Sequence, residues 1–267
     1  MTSQTPQTLR PQSARFATPR AIGALILREI STTYGRSPGG YVWAILEPAA
    51  GIALLTLVFS IGFRTPPLGT SFALYYAAGI LPLMMFTELS GKLAQTIQFS
   101  RALLAYPRVT FLDALIARLA LNVLTQLMVH FVLLGSIWLV LKPTTILDFS
   151  KISQAYLLTI ALGTGIGTLN CFLTVAFPIW QMAWAVLNRP LFIVSCIFFN
   201  FESIPQPYND YLWFNPLVHI VGLMRDGFYP FYLPTYVSVV YPMGLSALTC
   251  ICGLFLLNRY HRDVLDQ

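Results

Sequence analysis

Apolar residues along this chain gather into long runs broken by short polar, proline-containing stretches. Runs at about 41–63, 72–97, 110–141, 154–177, 181–199 and 236–257 approach or exceed the roughly 20 residues that a helix needs to cross a bilayer core of about 30 Å. The pattern predicts an all-α integral membrane protein with six transmembrane helices. Pro82 predicts a kink in the second span, and Asn188-Arg189-Pro190 interrupts the fifth.

Two further segments have other periods. Residues 1–17 are polar and proline-containing, which predicts a disordered cytosolic tail; the first apolar patch, Ala21 to Leu27, is too short for a signal-peptide core. Thr18-Pro19 then opens a helical pattern across 18–35, with Ile22, Ile26 and Ile30 on one face and Arg20, Arg28 and Glu29 on the other. Such a helix either lies in the membrane interface or packs on protein in the cytosol, and the spanning run close behind it favours the interface.

The second segment, Asn200 to Thr235, is rich in Pro, Tyr, Trp and Phe. Asn215 and Pro216 supply an N-cap and a first-turn proline, and Leu217, Ile220, Val221, Met224 and Phe228 recur at helical spacing. About 12 residues make roughly 18 Å of helix, too short to cross. The segment is expected to enter or line the membrane edge.

Composition agrees with the runs. The chain of 267 residues is 56% hydrophobic and 10% charged, against about 25% charged in soluble domains. Its net charge of +6 is not gathered into a nucleic-acid-binding stripe. Arg10, Arg15, Arg20, Arg28, Arg36, Arg101, Arg108, Arg259 and Arg262 fall on one side of the expected topology, and Arg64, Lys142, Lys151 and Arg225 on the other. That asymmetry predicts both termini in the cytosol and Asn200–Thr235 on the outer face. Cys171, Cys196, Cys250 and Cys252 all lie in apolar runs, without metal-ligand spacing, and are expected to be buried apolar side chains.

Polar residues inside the spans are the functional candidates, because they are costly there. Glu47 is either functional or a partner for an arginine of the preceding helix, and Glu88 and Lys92, four apart, predict a self-neutralising pair. Arg118, Asn122, Gln126 and His130 recur every four residues as one slanted stripe. It either lines a wet path or bonds to neighbouring helices, the latter being the commoner use. Gly163 and Gly167 form a GxxxG spacing that admits a close neighbour. Between the second and third spans, Arg101 to Tyr106 predicts a short helix ended by Pro107. The outer aromatics either stack on sugar rings or form the ordinary interfacial belt. No HExxH, GxSxG, paired-carboxylate or Walker A pattern is present, so nothing in the sequence points to an enzyme or an ATP site.

Leu27 to Pro48, LREISTTYGRSPGGYVWAILEP, with RPLFIVSCIFFNFESIP and LWFNPLVHIVGLMRDGFYP between Arg189 and Pro230, resembles the membrane subunits of ABC type-2 exporters. More narrowly, these stretches look like the permeases of capsular polysaccharide export. An R-E-x-x-T-x-Y-G-R pattern is present as Arg28, Glu29, Thr32, Tyr34, Gly35 and Arg36, and an outer pattern as Ser203-Ile204-Pro205 and Asn215 to His219. One departure is Gly222 before Arg225, where the family often carries a Glu followed by a nearby Arg; Asp226 is close.

The resemblance implies a homodimer in the bacterial inner membrane, moving lipid-linked acidic polysaccharide. It implies two separate ATP-binding subunits holding ATP and Mg, with no cofactor or metal in this chain. A periplasmic polysaccharide co-polymerase and membrane lipid would be further partners, and nucleic acid would not. Arg101, Leu103, Leu104, Tyr106 and Arg108 would couple to the ATPase. Arg28, Glu29, Tyr34 and Arg36 would belong to the interfacial helix. Glu47, Arg118, Asn122, Gln126 and His130 would be candidates for the path. Tyr208, Tyr211, Trp213, Asn215, His219, Arg225, Tyr229 and Tyr232 would lie in an outer re-entrant helical pair as candidate glycan contacts. Other cargoes (O-antigen, teichoic acid, a small lipid or drug) and a membrane enzyme acting on lipid-linked glycans remain alternatives.

Overall fold

The computed structural model describes residues 17–33, 40–104, 110–142 and 146–266. Helices and no strands are found among them, α-helices apart from one 3-10 turn at Phe201–Ser203. The chain runs α1 (Ala17–Thr33), α2 (Gly40–Gly62), α3 (Phe72–Ala94), α4 (Thr96–Leu104), α5 (Phe111–Leu141), α6 (Phe149–Ala176), α7 (Trp180–Val194), α8 (Tyr208–Trp213), α9 (Pro216–Phe228) and α10 (Val240–Asp266). The expected tail, apart from Ala17, lies outside the described residues.

Local chemistry accounts for several boundaries. Ser71 caps α3 by accepting from the Leu74 N–H. Thr110 and Asp113 form a reciprocal capping box at the start of α5. Asp148 accepts from the Ser150 and Lys151 N–H groups, so α6 starts at Phe149, five residues before the expected span. Asn215 Oδ1 accepts from the Leu217 N–H, and α9 runs from Pro216 to Phe228 as its spacing predicts.

Among the described residues, five helices are long and apolar enough to cross a membrane: those based on α2, α3, α5, α6 and α10. The expected fifth span is instead the 15-residue α7, about 22 Å long. It ends where Cys196 takes a left-handed backbone conformation (φ 57°), a routine way to terminate a helix. The expected second span to residue 97 also divides: Gln95 leaves the helix after Ala94 and α4 begins at Thr96. The last helix starts at Val240 rather than 236 and continues to Asp266.

At the centre of the bundle, α6 packs chiefly on α3 and α10. Its glycines make both contacts close. A Cβ at Gly163 or Gly167 would press on Leu89 or on Leu93 of α3, and one at Gly165 would collide with the Ser246 carbonyl of α10. In return, Gly253 of α10 admits the backbone at Thr168 and Leu169. Small residues therefore let three helices approach where apolar burial gives little drive in lipid. As a result α3 is buried along most of its length, whereas α2 is buried along very little. Exposed apolar side chains on α2 and α7, such as Leu54, Ile61, Met182 and Val186, are suited to lipid or to another protein.

Candidate functional site

Two buried arginines organise the two ends of the bundle. Near the start of α5, Arg118 is 5% exposed, and its Nε donates to Glu29 Oε1 of α1 at 2.9 Å. The same guanidinium lies 4.4 Å from the centre of the Phe99 ring of α4, and Arg28 approaches that ring at 5.4 Å. A carboxylate and an aromatic face thus offset the desolvation of one cation. Helix α1, the short helix α4 and the long helix α5 meet at this point.

The rest of the polar stripe on α5 divides. Asn122 Nδ2 donates to the Arg118 carbonyl one turn below, a bond within its own helix. Gln126 is half-buried. His130 is buried beside Tyr156 of α6, with ring centres 5.7 Å apart, and neither ring nitrogen has a hydrogen-bond partner. Both residues border an apolar cavity of about 680 Å³ between α5, α6 and the end of α9. On α2, Glu47 is exposed, and of its two readings the pairing with an arginine is not found among the described residues. Nor do Glu88 and Lys92 pair; both are half-buried, without an ion pair. Four-residue spacing allows that contact, but tertiary surroundings set the rotamers.

In the region expected to couple, Arg101, Leu103 and Leu104 lie on the last turn of α4, and the Arg101 side chain is exposed. Tyr106 and Arg108 lie outside the described residues, as do Tyr34 and Arg36.

At the other end, Arg225 of α9 is 1% exposed. Its Nη2 donates to the Ile197 carbonyl at 2.7 Å and its Nη1 to the Phe199 carbonyl at 3.2 Å, while the guanidinium lies 4.1 Å from the centre of the Tyr75 ring. No carboxylate among the described residues pairs with it. Asn215 adds bonds from Nδ2 to the Val194 carbonyl and the Ser195 hydroxyl, both 3.2 Å. Together they bind the irregular chain that leaves α7. Next door, Asp226 accepts from Lys151 Nζ at 2.7 Å and ties α9 to α6.

His219 is held on both nitrogens. Nδ1 accepts from the Ser238 N–H at 3.1 Å, which assigns Nε2–H as the donor to the Trp213 carbonyl at 2.9 Å. Burial lowers its pKa below the ordinary histidine value, and the backbone bonds only partly oppose this. Trp213 donates from Nε1 to the Tyr236 carbonyl and stacks on Tyr241. Tyr229 is buried over Gly69, whose positive φ (72°) brings the backbone under the ring. Tyr232 donates to both Glu202 oxygens, at 3.0 and 3.1 Å, and burial pushes its hydroxyl far above the usual range.

Of the eight outer candidates, Tyr208 and Tyr211, 65% and 73% exposed, are open to a ligand; the other six are buried or half-buried in the outer packing. Phe214 and Phe231 are comparably open. Sequence reasoning missed Phe99, Tyr75, Lys151 and Glu202, whose partners lie on other elements and leave no local signal.

The ABC-2 type transporter family matches residues 20–229. The chain is 35% identical over 247 residues to the polysialic acid transport protein KpsM of Escherichia coli, covering 92% of this chain and 95% of that protein. It is 27% identical over 256 residues to the capsule polysaccharide export inner-membrane protein CtrC of Neisseria meningitidis (93% and 94% covered). It is 24% identical over 254 residues to the capsule polysaccharide export inner-membrane protein BexB of Haemophilus influenzae (93% and 94%).

Proposed function

From membership of the ABC-2 type transporter family, to which this chain belongs, we propose that it is the permease of an ATP-driven exporter of lipid-linked capsular polysaccharide across the inner membrane. The names of its relatives, polysialic acid transport and capsule polysaccharide export, support that cargo class. In this reading two copies pair around a central path, each with an ATP-binding subunit that holds ATP and Mg, and a periplasmic co-polymerase receives the polymer.

The carrying observation is the junction of α1, α4 and α5 at Glu29, Phe99 and Arg118. A short helix set between two spans, clamped to an amphipathic helix and to a crossing helix, is placed to pass a push from outside the bundle into it. Arg101, Leu103, Leu104, Tyr106 and Arg108 are the coupling residues in this proposal.

Six crossings, with both termini cytosolic, also belong to it. Helix α7 is too short alone, but the carbonyls of Val194 at its end and of Ile197 and Phe199 beyond it are satisfied by Asn215 and Arg225. Irregular backbone is tolerated at membrane depth where protein covers and bonds it. Helices α8 and α9 then form the outer re-entrant pair, with Tyr208 and Tyr211 as its glycan contacts. Along the path, Glu47, Gln126 and His130 are the candidates whose side chains have no hydrogen bond among the described residues.

The test is co-purification with the ATPase subunit and measurement of ATP turnover. Leu103→Asp with Leu104→Asp, which alters α4 and leaves the spans intact, is expected to cut both turnover and export. No bound ATPase, with turnover indifferent to this change, would sink the reading.

A further inference from the structure

Along one side of α5, Leu124, Met128, Phe131, Gly135 and Trp138 recur at intervals of four and three, so they share a face. That face is one wall of the apolar cavity of about 680 Å³. Ile152 and Tyr156 of α6 form the facing wall, and Phe228 of α9 closes it. Leu124, Phe131 and Phe149 on its rim are exposed, so the cavity is a groove open to the side of the bundle. On spanning helices that side faces lipid.

Three features decide what fits the groove. A Cβ at Gly135 would meet nothing within 4 Å, whereas at Gly163 or Gly167 of α6 it would press on α3. Gly135 therefore keeps room for something outside the packed helices. From Leu124 to Trp138 the groove runs about 21 Å along α5. That is too short to seat a partner helix across a core of about 30 Å, but it accommodates an acyl chain, which spans one leaflet of about 15 Å. The third feature is charge at the mouth. Lys142 donates its N–H to the Trp138 carbonyl, one turn beyond the groove wall, and its side chain is exposed without an ion pair among the described residues. At the same end Lys151 is neutralised by Asp226, and Asp148 is turned to the first N–H groups of α6. Lys142 is thus the cation left for an anionic headgroup.

We propose that this groove is a binding site for a membrane glycerophospholipid, with one acyl chain lying between α5 and α6 over Gly135 and the phosphate at Lys142. Lipid tails are as apolar as the groove, so burial alone gives little preference. Close fit around Gly135 and the phosphate–ammonium contact supply it. Bound there, the lipid bridges α5, which carries Arg118, to α6, which Lys151 ties to α9. The site requires only that the chain spans a membrane and does not depend on the cargo.

The test places the full chain in vesicles of phosphatidylethanolamine and phosphatidylglycerol, with a trace of phosphatidylglycerol carrying a photoreactive diazirine midway along one acyl chain. Cross-linked peptides are mapped by mass spectrometry. Labelling of residues 124–138 is expected to exceed severalfold that of the exposed face of α10 at Leu248 and Ile251. Gly135→Phe fills the groove and should bring labelling down to the α10 level. Its melting temperature should hold, because the new ring enters open space. Lys142→Gln, which leaves the spans untouched, should lower labelling about fivefold, as for one lysine at an anionic surface, and Lys142→Arg should retain it. Equal labelling of the two faces, or labelling unchanged by Gly135→Phe or by Lys142→Gln, would overturn the site. When the chain is purified from its own membranes, a protein or a glycan-bearing lipid that leaves with Gly135→Phe would overturn the phospholipid as occupant.

Discussion

The guanidiniums of Arg118 and Arg225 are both buried and each lies against an aromatic ring, yet they are satisfied in opposite ways. Arg118 meets a carboxylate on a separate helix, α1. Arg225 meets backbone carbonyls, at Ile197 and Phe199, and no carboxylate. A carboxylate on a helix at the edge of the bundle can be withdrawn when that helix moves. Carbonyls in the chain that carries the cation's own outer segment cannot be withdrawn without unmaking that segment. On the proposed coupling role, the α1–α4–α5 junction serves as a joint and the outer cluster as a fixed frame.

The contrast can be broken experimentally, beginning with the largest effect. Glu29→Ala leaves Arg118 buried without a counter-charge and should cost about 3–5 kcal/mol, read as a lower melting temperature of the purified protein. Glu29→Leu with Arg118→Met should recover most of that stability, because an apolar pair of similar size replaces a buried ion pair at little cost. If the junction is a joint, this double variant folds yet shows ATP turnover uncoupled from export; normal export would remove the coupling role.

Arg225→Met frees two buried carbonyls at about 1–3 kcal/mol each. Arg225→Lys should restore little, since an ammonium on a flexible stem cannot reach both carbonyls and lie flat on Tyr75. Full rescue by lysine in a thermal melt would contradict the fixed-frame account. Trp213→Phe removes the donor to the Tyr236 carbonyl and should cost about 1 kcal/mol, with export retained if the ring is only packing.

His219 gives the frame a pH signature. Its pKa is lowered on folding, so the unfolded chain binds the proton more readily. Stability is then complete above the ordinary value of about 6.5 and falls as pH drops below it. His219→Gln should flatten that dependence in pH-resolved melts. Tyr208→Ala and Tyr211→Ala should shift stability by less than about 0.5 kcal/mol. A fall in export at unchanged protein level would assign them to the glycan, and unchanged export to the interfacial belt.

Much of the bundle was legible along the chain because apolar run length is a local property. Asn215-Pro216 and the spacing up to Phe228 placed α9 to the residue, and Thr110 marked the start of α5. The fifth crossing was not legible. An apolar run to Phe199 reads as one helix, whereas the chain turns at Cys196 because Arg225 and Asn215, on another element, supply the donors that its carbonyls need.

The candidate site was legible as residue types rather than as partners. Periodicity put Arg118, Asn122, Gln126 and His130 on one stripe, but gave four different surroundings the same signature. Likewise, eight outer residues looked alike as polar or aromatic side chains, and packing left two of the eight strongly open.

Run lengths and caps thus settle the class and several local boundaries, since each depends on residues within a few turns, but run length overcounts the long helices by one. Tertiary structure alone chose the partners: Glu29 for Arg118 across 89 residues, and Asp226 for Lys151 across 75. A buried charge must be satisfied by whatever the packed helices bring within about 3 Å, and helical spacing specifies a face but not the neighbour that will cover it.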